Sequence, residues 1–211
     1  DYADWNDCLK VDEDYLTGPE KEKSNKSLEN YSESIMNGFL LQLAVVHMYE
    51  FAKEKKDTDY MEQMESKRKV LSDNLQKYAW KEDFFARVLF NRYGDEITYL
   101  GAAKDGFSGD ENINGTYFLN SFSWSILSGE AKEYQIETMV KRIEDYLKTP
   151  FGFSLMSPTD LSKVARKTAT GEYFPGDREN GGIFKHATMM ATAAMIKAAK
   201  EVENAALAKR L

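Results

Sequence analysis

Apolar side chains crowd nearly every face of residues 35–51, where Ile35, Phe39, Ala44, Val46 and Tyr49 stand among other apolar positions, and this predicts a well-buried helix. A second helix is predicted over 60–79. There Met61, Met64, Leu71, Leu75 and Tyr78 recur at helical spacings while the opposite face is charged. The polar link 53–59 makes the pair an antiparallel hairpin. Over 84–100 the period drops to two, because Phe84, Ala86, Val88 and Phe90 alternate with Phe85, Arg87, Leu89 and Asn91. With Gly94 and Asp95 as a turn before Ile97 and Tyr99, a short β-hairpin inserted between helices is expected.

Residues 103–115 are rich in Gly, Asp and Asn and read as a loop, followed by an apolar helix over 118–127 that stops at Gly129. Another helix spans 136–147 and ends before Pro150. Residues 150–182 contain three of the four prolines and no lasting period, so they read as a long loop of the kind that carries function. The last segment, 184–211, returns to helix with the repeat Met189, Ala193, Ile196 and Ala199, and its alanines suggest close packing on a neighbouring helix. The order of elements is that of an α-hairpin array with its loops gathered at one end, hence a mainly α fold.

Composition narrows the possibilities without naming a function. A chain of 211 residues, 42% hydrophobic and 30% charged, is large enough for one sizeable core. A net charge of -7 lacks the excess of Lys and Arg that nucleic acid or an anionic membrane would require, so neither is an expected partner. Cys8, the single cysteine, rules out an internal disulfide and fits a reducing cytoplasm. The longest apolar run, 39–48, is interrupted by Gln42 and His47 and is too short to span a bilayer, so no transmembrane segment is expected. His47, inside an apolar helix, reads as a core histidine. The chain lacks an initiator methionine and opens on its most site-like motif, which suggests a piece of a longer protein.

Two segments carry candidate chemistry. Asp4-Trp5-Asn6-Asp7 offers two carboxylates, an indole and an amide in four residues. Sugar sites use such a set: a flat apolar face for the ring, polar groups for hydroxyls, a carboxyl for the glycosidic oxygen. The same residues also suit a plain Asp/Asn turn with a half-buried tryptophan. The second segment, Gly176-Asp177-Arg178-Glu179-Asn180-Gly181-Gly182, leads through Ile183 and Phe184 to Lys185 and His186 at a helix start. Gly-Gly permits close approach of the backbone to a ligand, and unpaired N–H groups beside His186 would suit an anion. An ordinary loop-to-helix junction with a solvated salt bridge fits equally well.

Together the segments resemble glycoside hydrolase family 94, the cellobiose, cellodextrin, chitobiose and 1,2-β-oligoglucan phosphorylases. The resemblance runs through Asp4-Trp5-Asn6-Asp7, the helix from Asn120 through Trp124 to Ser128-Gly129, the loop Thr149-Pro150-Phe151-Gly152, and Arg178-Glu179-Asn180-Gly181-Gly182 with His186. It covers almost the whole chain and implies a single partial catalytic domain, part of an (α/α)6 toroid whose remainder lies upstream and downstream.

The resemblance further implies phosphorolysis of a β-linked gluco-oligosaccharide to an α-sugar 1-phosphate, with inversion. In it Asp7 would be the general acid, Trp5 would line the pocket of the transferred sugar, Arg178 and Glu179 would bind the leaving sugar, and His186 would hold the phosphate. An inverting displacement needs one acid on the departing oxygen and a nucleophile on the opposite face of the ring. Phosphate is already an anion, so no second carboxylate is required, and neither a metal nor an organic cofactor is expected. Asp7 must keep its proton at neutral pH, so a raised pKa is expected there. Family members also use an upstream arginine and a downstream Thr- or Ser-bearing loop that this chain does not contain, so the chain alone should be close to inactive. A homodimer is compatible with the full-length form. Two alternatives stay open: an inverting hydrolase whose second carboxylate is Asp110, Glu111 or Glu172, and a non-catalytic carbohydrate-binding helical protein.

Overall fold

The computed structural model describes residues 32–91, 97–163 and 173–211. Asp7, Trp5 and Glu172 lie outside the described residues. The chain is mainly helical with small antiparallel sheets. A short strand β1 (Ser32–Ser34) leads into α1 (Ile35–Lys55), which Ser34 caps by accepting a hydrogen bond from the Asn37 amide. Lys56, at φ 56°, ends α1, and Asp57 caps α2 (Thr58–Asn74), so the predicted antiparallel hairpin forms. A π-turn, Leu75–Ala79, extends α2. Its extra residue per turn rotates the register, which carries Tyr78 off the apolar face and leaves it exposed while Leu75 and Ala79 stay buried.

The expected hairpin forms between residues 88–91 and 97–100, its turn at Gly94 and Asp95 lying outside the described residues, while Phe84 and Phe85 belong to a separate small sheet. β2 (Trp80–Lys81) pairs with β3 (Phe84–Phe85), and β4 (Val88–Asn91) sits between β1 and β5 (Ile97–Leu100), with Val88 opposite Leu100. Residues Phe84 to Phe90 are all buried, Arg87 included, so the alternation does not mark one wet and one dry face. Arg87 lies 4.1 Å over the Phe118 ring, with Met156 Sδ 3.3 Å from its Nη1.

The next two helices, α3 (Leu119–Leu127) and α4 (Glu133–Tyr146), form another pair, joined through the Gly129 turn. β6 (Lys148–Thr149) and β7 (Gly152–Phe153) then make a tight hairpin, and a 3-10 turn spans Leu161–Lys163, so the predicted long loop is partly ordered by local pairing. α5 (Lys185–Glu201) and α6 (Ala205–Arg210) close the chain. The single helix expected over 184–211 breaks at Val202 because the chain turns extended there. The Glu133 carboxylate then binds the amides of Glu203 and Asn204, and Asn204 caps α6.

Helix α3 is the centre of the molecule, packed between α1 and α5. Its serines make this possible. Ser123 and Ser125 return their hydroxyls to their own helix at Leu119 and Phe122, leaving a small surface that accepts Ala187, Ala191, Ala194 and Ala198 of α5, all buried. Close packing of alanines was expected, but on the wrong stripe: Met189 and Ile196 are exposed. α1 is likewise buried on one side only. Ile35, Met36, Phe39 and Val45 face the core, whereas Leu41, Met48 and Phe51 form an exposed apolar stripe with the exposed His47 beside it. His47 is therefore a surface residue, not a core histidine.

Among the described residues α1 alone has the length and apolar composition of a membrane span. It packs instead against α2 and α3, and its Gln42 is buried in a polar joint where Gln42 and Ser72 donate to Glu130 at 2.9 and 2.5 Å, and Gln76 donates to the Glu130 carbonyl.

Candidate functional site

Three loop segments converge beside the N-terminal end of α5. The loop 103–115 is shaped by Asp105, whose carboxylate accepts from the amides of Gly101, Phe107 and Thr116 and from the Thr116 hydroxyl. It is tied to the second segment by Gly109 N–H donating to the Pro158 carbonyl and by a bridge between Ser108 and Thr159. The second segment is anchored to the core where Tyr117 and Ser157 exchange hydrogen bonds, Tyr117 N–H to Ser157 Oγ and Ser157 N–H to the Tyr117 carbonyl.

Asn180 joins the third segment to the second. Its side chain is fully buried: Oδ1 accepts from the Thr159 amide at 2.9 Å, and Nδ2 donates to the carbonyls of Thr159 at 2.7 Å and Tyr173 at 2.9 Å. Its backbone closes the turn, with Asn180 N–H on the Asp177 carbonyl and Gly176 N–H on the Asn180 carbonyl. The turn tightens further where Gly182 N–H donates to the Arg178 carbonyl at 2.7 Å. A Cβ on Gly182 would overlap that oxygen, so only glycine fits there. Arg178 is held at φ 44°, a left-handed conformation that costs a side-chain-bearing residue about 1 kcal/mol and is retained only where surrounding contacts enforce it.

That enforced turn presents Arg178 and Glu179. The Arg178 guanidinium stacks 3.7 Å over the Tyr173 ring and donates from Nε and Nη2 to Asp177 Oδ2 at 3.2 and 3.1 Å. The hydrogen bonds that Arg178 donates to Asp177 push its pKa up, keeping it cationic throughout the accessible range. Glu179 is half-buried, and its Oε2 is sealed from solvent with no hydrogen-bond partner among the described residues.

From this turn the chain passes along β7, with Leu155 N–H on the Gly182 carbonyl and a bridge from Ile183 to Ser154, and enters α5. Phe184 provides no side-chain cap to α5, and Lys185 and His186 stand exposed in its first turn. The His186 ring stands edge-on to Phe184 at 5.7 Å. The structure thus sets Arg178 and Glu179 on one clamped turn and His186 on the helix it feeds, while the two residues of the opening motif, Trp5 and Asp7, are outside the described residues. Asp110 shapes its own loop, with Oδ1 accepting from the amide and side chain of Asn112, and Glu111 is exposed.

Sequence reasoning missed Asn180 and Asp177. An amide flanked by Gly on one side and charges on the other was the available signal for the first. The second was hidden because a lone Asp beside Arg resembles any surface pair. It also missed Asp83, a buried carboxylate that receives Arg142 Nε at 2.5 Å, the Tyr117 hydroxyl at 2.9 Å and the Ala103 amide at 3.0 Å, thereby locking α4 to the loop floor. Burial pushes the Tyr117 hydroxyl well above its ordinary value, with the Asp83 charge adding to the shift.

The chain is 27% identical over 157 residues to a 3-O-beta-D-glucopyranosyl-beta-D-glucuronide phosphorylase of Paenibacillus borealis, covering 74% of this chain and 19% of that protein. It is 30% identical over 117 residues to a cellobionic acid phosphorylase of Neurospora crassa, covering 53% of this chain and 13% of the relative. An N,N'-diacetylchitobiose phosphorylase of Vibrio furnissii matches at 24% over 192 residues, 87% of this chain and 20% of its own length. The chain therefore spans about a fifth or less of the curated relatives it matches. The model of the glycosyl hydrolase 94 superfamily catalytic domain matches residues 1–204, nearly the entire chain, and the chain belongs to that family.

Proposed function

We propose that the protein of which this chain is part is an inverting phosphorylase of β-linked gluco-oligosaccharides, releasing an α-sugar 1-phosphate and a shortened sugar. The observation that carries the reading is that one clamped turn presents Arg178 and Glu179 and leads directly into the helix start that bears Lys185 and His186. Arg178 offers donors and Glu179 an acceptor to sugar hydroxyls, and a phosphate suits a helix start beside Lys185 and His186. In this reading Asp7 protonates the departing oxygen, Trp5 faces the transferred ring, Arg178 and Glu179 grip the leaving sugar, and His186 positions phosphate on the opposite face. Charge develops on the ring carbon as the glycosidic bond stretches, and the phosphate anion meets it without a base. The enzyme is cytoplasmic in this reading and works without metal or organic cofactor, phosphate being a co-substrate.

The architecture that accompanies the reading is a segment of an (α/α)6 toroid, with α1, α3 and α5 as neighbouring inner helices and α2, α4 and α6 outside them. The packing of α3 between α1 and α5 supports it, as do the apolar stripes left exposed on both flanking helices.

The test is the full-length protein incubated with a panel of β-linked glucosides, with and without phosphate, and α-sugar 1-phosphate followed by NMR. Phosphate-dependent release is expected. Asp7→Asn should lower turnover by about 10²- to 10⁴-fold while leaving sugar binding in place, and His186→Ala should raise the KM for phosphate. Equal sugar release in the absence of phosphate would make the enzyme a hydrolase.

A further inference from the structure

We infer that Asp177 sets the charge selectivity of the leaving-sugar subsite, turning it toward neutral, hydroxyl-bearing sugars and against sugars that carry a carboxylate. The inference rests on the reading that Arg178 and Glu179 hold the leaving sugar. Recognition of a carboxylate by arginine uses a fork of two N–H groups. In this chain the Nε/Nη2 fork of Arg178 already meets Asp177 Oδ2 at 3.2 and 3.1 Å, and the Tyr173 ring covers one face of the guanidinium at 3.7 Å. The φ of 44° at Arg178 and the buried Asn180 clamp hold the backbone from which both partners project. Asp177, Arg178 and Glu179 together carry a formal charge of -1, two carboxylates against one guanidinium.

Hydrogen-bonding capacity points the same way. Glu179 can only accept, and a carboxylate on the ligand has no donor to offer it at neutral pH, whereas a sugar hydroxyl can donate to a carboxylate and accept from a guanidinium. An acidic sugar would meet an already neutralised guanidinium and an uncompensated like charge a few ångströms away. At a solvated surface such repulsion amounts to roughly a tenfold loss of affinity. Two of the relatives described above act, by their names, on sugars that bear a carboxylate, a glucuronide and cellobionic acid, so this chain should differ from them at that subsite.

The experiment runs the full-length protein in the synthetic direction, with the sugar 1-phosphate it accepts as donor and glucose, N-acetylglucosamine, glucuronic acid and gluconic acid as acceptors. The unaltered enzyme should favour the neutral acceptors in kcat/KM by about tenfold or more, and that preference should shrink as ionic strength rises. Asp177→Asn should lower the KM for the acidic acceptors about tenfold relative to the neutral ones, and Asp177→Glu should restore the original ratio. A merely structural role would move both acceptor classes together. Preference of the unaltered enzyme for an acidic acceptor, or an unchanged ratio in Asp177→Asn with its melting temperature intact, overturns the inference alone. Absence of disaccharide formation and phosphate release with every acceptor, together with phosphate-independent hydrolysis of β-glucosides, overturns the phosphorylase reading and this inference with it.

Discussion

Single side chains hold the candidate site in place more than its loops do. Asn180 satisfies three backbone groups from two other segments, and removing it strands buried donors and acceptors that water cannot reach. Asn180→Ala should destabilise the protein by about 3 kcal/mol, measured by denaturant unfolding, and should raise the KM for the leaving sugar in the full-length enzyme. Asp83 is the equivalent anchor on the core side, receiving Arg142, Tyr117 and Ala103 together. Because burial and Asp83 raise the Tyr117 pKa in the folded state, its contribution to stability is complete below its ordinary value near 10 and is lost as pH climbs from there through the raised folded value. Unfolding free energy should therefore fall above pH 10 in the unaltered protein, and the slope should flatten in Tyr117→Phe when melting is followed across that range.

At the scale of elements, the turn 176–182 and the start of α5 act as one unit. The Gly182 amide folds back on Arg178 while the Gly182 carbonyl pairs with Leu155, so a side chain at 182 would have to push either the turn or β7 aside. Gly182→Ala should lower the melting temperature and weaken binding of sugar and phosphate together. Substitution of Lys185 should affect phosphate alone, and titration calorimetry with each ligand separates the two. The pairing of α3 with α5 depends on small residues on both helices. Ala191→Leu should overpack that joint and cost about 1 to 3 kcal/mol by thermal or denaturant melting. The π-turn after α2 and the break at Val202 belong to this scale as well, since each shifts which residues of a continuous helical pattern reach the core.

For the whole molecule, the proposed toroid makes the exposed apolar stripes of α1 and α5 the flanks that further helices would cover. Leu41, Met48 and Phe51 on α1, and Met189 and Ile196 on α5, are large side chains facing outward along helical spacing. In the full-length protein Met48→Lys with Phe51→Lys should destabilise by well over the roughly 0.5 kcal/mol of an ordinary surface change, because both positions would be covered there. A melting temperature unchanged by the double substitution would show the stripe to be true surface.

The amino-acid sequence by itself determined the helix pairs and the grouping of Arg178, Glu179 and His186 near one helix start. Those depend on periodicity, caps and residue type, which are local in the chain. Only the tertiary structure decided which side of α1 and α5 is buried, that residues 84–90 lose their alternation, and that Asn180 serves as a clamp while Glu179 is left without a donor. Those outcomes depend on which segments meet across the fold. Burial and hydrogen-bond satisfaction are properties of that meeting rather than of any stretch of sequence.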